Sequence, residues 1–162
     1  MRHRSVRICT FLFVATAVFS VPAFSDQQCK PVVGSFEAHL VTEGCASPVQ
    51  LCTAGRVWGG IQGSYAFTMT NAIPNGEPTV PTVLFFTGHS IVTLKSGDVV
   101  LGTDTGAIDL PPGQGGFASL ITFHPGGSGS TKDATGQIRL RGDFDPVAGT
   151  TSGDYLGTIC TP

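Results

Sequence analysis

The segment Ser130–Cys160, STKDATGQIRLRGDFDPVAGTTSGDYLGTIC, constrains the fold most. It holds two alternating runs cut by glycines at Gly136, Gly142, Gly149, Gly153 and Gly157. In the first run Ile138, Leu140, Gly142 and Phe144 share one face, and Arg139, Arg141, Asp143 and Asp145 share the other. That period of two predicts a strand with one dry and one wet face. Glycines inside strands mark bulges, bends or close backbone approach, which a curved or closed sheet needs. No motif in the chain forces a particular chemistry.

The same pattern recurs upstream. Phe36, Ala38 and Leu40 alternate with Glu37, His39 and Val41. Runs at 53–62 and 64–70 follow, the second with Tyr65, Phe67 and Met69 on one face. Three prolines and Asn75-Gly76 predict a loop over 71–81. Further strands are expected over 82–95, 98–110 and 117–123, and a flexible Gly/Ser loop over 125–132. Seven or eight short strands without helical periodicity predict an all-β barrel or sandwich.

The first 25 residues read as an export signal. Arg2, Arg4 and Arg7 precede an apolar run from Ile8 to Phe19, and Ala23-Phe24-Ser25 offers small residues for cleavage. The run is shorter than the roughly 20 residues a spanning helix needs. The expected product is one domain, residues 26–162, secreted or periplasmic. It keeps six of the nine Lys and Arg against all eleven acids, a formal charge of −5. That balance disfavours nucleic acid and anionic membranes as partners.

Beyond Cys9 lie Cys29, Cys45, Cys52 and Cys160, an even set suited to an oxidising compartment. Three pairings are open. The favoured one joins Cys45 to Cys52 across a short loop and Cys29 to Cys160 at the chain ends, as a closed sheet would allow. The spacing is not zinc-like. Asp143, Asp145, Asp104 and Asp109 lack a calcium-loop pattern, and Arg139 and Arg141 stand ready to neutralise the first two. No metal or cofactor is expected.

The order GSYAFTM, FFTGHSIVTLKSGDVVLGTDTGAID, FASLITFHPGGSGSTKDATGQIRLRGDFD and GTTSGDYLGTI resembles secreted bacterial members of the allene oxide cyclase and dirigent barrel superfamily. The likeness rests on the T-x-x-S-G turn in Thr93–Val100, on A-T-G-x-I-x-L-x-G-x-F-D at Ala134–Asp145, and on the closing hairpin Gly149–Ile159. It implies a closed antiparallel barrel of about eight strands, stapled here by disulfides, with an apolar cavity and no cofactor. It also implies that Tyr65, Phe67 and Phe85 help form that cavity. No catalytic residue of the plant enzymes aligns through a motif, so none is carried over.

Among polar residues, Glu37 and His39 point the same way from one strand. They are a general acid–base pair if that face lines a cavity, and the wet face of the barrel otherwise. His89 follows Gly88 in an apolar strand and reads as an interior or rim residue bordering a ligand. Trp58, Phe86 and Phe117 are further candidates for a cavity wall. No G-x-S-x-G elbow accompanies Ser64, Ser90 or Ser119. The leading expectation is a small barrel that binds an apolar small molecule. A cofactor-free cyclase-like isomerase and an extracellular interaction protein with a filled barrel are the alternatives. Assembly with further copies of the chain stays open.

Overall fold

Alternating strands carry the chain once around a closed sheet. The computed structural model describes residues 27–75, 82–111, 113 and 115–162, so the expected export signal lies outside the described residues. Eight strands follow in chain order: β1 (Gln28–Leu40), β2 (Cys52–Gly59), β3 (Gly63–Pro74), β4 (Val83–Leu94), β5 (Val99–Asp109), β6 (Gly116–His124), β7 (Thr135–Asp145) and β8 (Thr150–Thr161). Each pairs antiparallel with the next, and β8 returns to β1 to close the barrel. Closure leaves no sheet edge free along the shared length, which removes a template for aggregation.

The closing seam runs from Gln28 opposite Thr161 to His39 opposite Thr150. Cys29 and Cys160 face each other in that register and form a disulfide, with Cα atoms 3.9 Å apart. Because 131 residues separate them in sequence, the bond removes much chain entropy from the unfolded state, of order 5 kcal/mol in the loop-closure picture. Cys45 bonds Cys52 across the β1–β2 connection. Pro31 lies where β1 pairs with β8 but not yet with β2, a position that tolerates the missing amide proton.

Three local expectations change. The first strand begins at Gln28 rather than near Phe36. Residues 71–74, expected as loop, extend β3 past a bulge between Met69 and Asn71 and pair with residues 84–87 of β4. The Gly/Ser segment before β7 is pinned rather than free. Ser130 donates to Asp98 Oδ2 at 2.6 Å, and Ser128 exchanges backbone and side-chain hydrogen bonds with Val99. The Ser130 bond is the main reason the Asp98 carboxyl is held below its ordinary range.

Two apolar clusters fill the barrel. One includes Val32, Val57, Ile61, Val92, Val100, Phe123 and Tyr155, and packs the end bearing the β2–β3, β4–β5 and β6–β7 connections. The Tyr155 hydroxyl accepts from the Ile61 amide at 2.7 Å and lies 3.1 Å from the Trp58 carbonyl. Gly34 makes this possible, since a Cβ there would lie 2.5 Å from the Tyr155 hydroxyl oxygen. The other cluster, Phe67, Met69, Phe86, Ile108 and Phe144, lies toward the opposite end. Facing on β7 follows the alternation: Ile138, Leu140 and Phe144 are buried, while Arg139 and Arg141 are exposed.

Candidate functional site

The inner face of β5 reads Val100, Gly102, Asp104, Gly106 and Ile108. Placing an acid on this apolar side buries it: Asp104 is 2 % exposed. Directly opposite on β4 stands Gly88, and the Phe67 ring occupies the space its missing side chain leaves. Ser90, two residues along β4, is also buried, and its hydroxyl lies 3.2 Å from that of Tyr65.

Asp104, Ser90 and Tyr65 thus form a polar group inside an apolar barrel. Burial raises the Asp104 carboxyl to about 7, and hydrogen bonding to Ser90 offsets part of the shift. Its Oδ2 atom has no hydrogen-bond partner, which is costly for a buried carboxyl oxygen. Burial, then the neighbouring Asp104 charge, push the Tyr65 phenol upward, against a lowering contribution from the Ser90 hydrogen bond. Both shifts favour the protonated forms, so the phenol keeps its proton near neutral pH.

Asp104 and Tyr65 border a cavity of about 50 Å³, partly open to solvent. It lies toward the end of the barrel that carries the β1–β2, β5–β6 and β7–β8 connections. Six aromatic rings line it: Phe36, Tyr65, Phe67, Phe86, Phe117 and Phe144. Phe67 and Phe86 meet edge to face with centroids 5.6 Å apart, and Phe36 meets Phe117 in the same way at 5.7 Å. Leu51, Thr53, Ser119 and Thr151 add further wall.

The β1–β2 loop supplies Leu51 and is fixed by covalent and polar ties. The Cys45–Cys52 bond staples it. The buried Ser47 hydroxyl donates to the Met69 carbonyl at 2.6 Å and accepts from the Leu51 amide at 3.1 Å. The Met69 amide in turn donates to the Leu51 carbonyl at 3.0 Å. Gln50 adopts φ +57°, a left-handed conformation unusual for a side chain of this kind, just before Leu51.

Compared with known proteins, the chain matches no family model, no curated protein and no solved structure. The site is therefore read from its own geometry.

That geometry redistributes the expected site residues. Tyr65 and Phe67 line the cavity. Phe85 does not: it is 52 % exposed on the outer wall, and Phe86 takes the inward position. His89 shares the parity of Phe85 and is likewise exposed. Glu37 and His39 are exposed on the outer face of β1, beside Arg56 and Ser152, so neither can act on a molecule inside the barrel. Trp58 also points outward.

Asp143 and Asp145 are exposed on the same face of β7 as Arg139 and Arg141, as expected. Asp145 accepts from the Val147 and Ala148 amides, both at 2.9 Å, and so shapes the β7–β8 turn. Asp104 lies within β5. Among the described residues no group of three or more His, Cys, Asp or Glu could hold a metal ion.

Asp104, weighed in the sequence only as a metal ligand, is the cavity residue that sequence reasoning did not place inside the barrel. Its signal was present: Val100 and Ile108 lie an even number of residues from it, with glycines at 102 and 106 between. That parity assigns an acid to a dry face.

Proposed function

We propose that this protein is an exported barrel that binds a small, largely apolar molecule at one end of its interior. The observation that carries the reading is an aromatic cavity containing one buried, incompletely satisfied carboxyl, Asp104. Mostly apolar pockets with a few convergent polar groups and a shifted titration are the usual form of ligand sites. Burial supplies affinity at roughly 25 cal/mol per Å² of apolar surface, and Asp104 orients the polar part.

The volume restricts what enters. One water needs about 10–15 Å³ of such space, so about 50 Å³ holds the equivalent of a few waters, a head group rather than a long chain. The remainder of a larger ligand would lie across this end, where Val49, Ile73, Phe85 and Val147 are exposed. The opposite end is packed, which leaves the interaction-protein reading with a barrel filled except for this cavity.

Export is part of the proposal. It is supported by the basic and apolar leader pattern and by two disulfides, which point to an oxidising, extracellular-type environment. Among the described residues no helix is long and apolar enough to cross a membrane. The proposed kinship with the allene oxide cyclase and dirigent barrels is supported by the sequence likeness and by the compatible eight-stranded architecture.

One observation favours a second reading, a cofactor-free isomerase. A carboxyl poised at about 7 in a dry pocket can deliver a proton to a bound molecule and recover it, the task first considered for Glu37. Binding itself is tested by calorimetric titration with a neutral apolar probe such as 1-hexanol. Saturable binding by the parent chain, lost in Thr151→Phe where the added ring fills the cavity, supports the proposal. No binding by the folded parent chain contradicts it.

A further inference from the structure

We infer that the polar head this cavity accepts is an ammonium group, so that the ligand is a small organic amine with a hydrophobic body. The inference rests on the binding reading above and deepens it by naming the ligand's charge. Three features of the site converge on it.

First, Asp104 is a buried carboxyl without a counter-ion. The walls from β1, β2, β4, β6, β7, β8 and the β1–β2 loop bring no titratable side chain to the cavity, and Tyr65 on β3 is the one titratable neighbour among the described residues. Buried charges are otherwise paired, because an isolated one is expensive. An incoming cation supplies the missing partner, whereas an anionic head would meet a like charge and no cation.

Second, six aromatic rings surround the carboxyl's cavity. Ring faces attract ammonium groups within about 6 Å of their centroids, and more strongly where water is excluded. A neutral hydroxyl or carbonyl gains nothing comparable from them. Third, the cavity of about 50 Å³ suits an ammonium head close to water in size, with the body extending toward the open end.

Charge pairing predicts the direction of the pH response. An ammonium ligand needs Asp104 ionised, so its affinity rises as pH passes through the range where Asp104 titrates. It levels off above that range while the amine, with a pKa near 10, keeps its proton. A ligand with a neutral acceptor oxygen needs the protonated carboxyl and shows the opposite trend. Tyr65 stays protonated throughout and does not confuse the profile.

The test compares hexylamine with 1-hexanol on the disulfide-bonded chain at pH 5.5 and pH 8.0, in the parent and in Asp104→Asn. Hexylamine is expected to bind at least about tenfold tighter at the higher pH, following the ionised fraction of the carboxyl. At that pH it is expected to exceed 1-hexanol by a similar factor. Asp104→Asn should abolish both differences while 1-hexanol still binds. Equal binding of the two probes, or tighter binding of hexylamine at the lower pH, overturns the ammonium inference and leaves the apolar site standing. Binding of neither probe overturns the binding reading and the inference with it. The parent chain's pH profile decides the matter by itself if the variant does not fold.

Discussion

Gly88 and Asp104 stand directly opposite each other on β4 and β5, and the glycine's missing side chain is replaced by the Phe67 ring. The carboxyl therefore faces no opposing side chain across this pair, and Ser90, two residues along β4, is its hydrogen-bonding neighbour. Gly88→Ala would force its methyl into that ring and toward the Thr68 carbonyl, 2.7 Å from an ideal Cβ. Overpacking of this kind costs about 1–3 kcal/mol, measurable as a lower urea midpoint at unchanged slope.

Asp104 should make stability depend on pH. Its folded-state value of about 7 lies above the unfolded value near 4, so the folded state holds the proton more tightly. The resulting stabilisation of the native state is whole below pH about 4. It erodes as pH rises from there and is gone above about 7. With about 1.4 kcal/mol per unit, the total is a few kcal/mol in order of magnitude. Asp104→Asn should flatten this slope and make the protein more stable than the parent at pH 8, as read from denaturation midpoints across pH.

Tyr155 closes the packed end of the barrel. Tyr155→Phe removes the acceptor of the Ile61 amide, which is then left without it in the core. The expected loss is about 1–3 kcal/mol. Because Tyr155 does not line the cavity, probe affinity measured by titration should stay unchanged.

On β7, adjacent residues should differ sharply. Leu140→Asp places a charge among buried side chains and should cost several kcal/mol or prevent folding. Arg139→Ala, on the exposed face, should change stability by less than about 1 kcal/mol. Chemical denaturation of both variants checks the facing, and comparable losses would contradict it.

The contrast between β7 and β4 shows why some of this was legible in sequence. On β7 charged residues alternate with apolar ones, so the inward face declares itself. The β4 sequence VLFFTGHSIVTL carries bulky apolar residues on both parities. Its inward set from residue 86 includes Gly88, where the Phe67 ring fills the space, and Ser90, whose hydroxyl meets that of Tyr65. The family likeness pointed to Phe85 and the apolar strand context to His89, whereas the barrel turns Phe86 inward and both of those outward. The disulfide pairing was readable because closure brings the chain ends together. Asp104 was not singled out because an acid is ordinarily a surface residue, and the cost that makes it unusual exists only once the barrel closes around it.

Whether the interior near Asp104 binds a ligand is read by mapping chemical-shift changes while 1-hexanol is titrated into isotopically labelled protein. The account predicts saturable shifts at Phe67, Phe86, Phe117 and Thr151, around the cavity, with Ile61 and Tyr155 at the packed end unmoved. Shifts confined to outward residues such as Phe85 and Ile91, or no saturable shift at all, would contradict it.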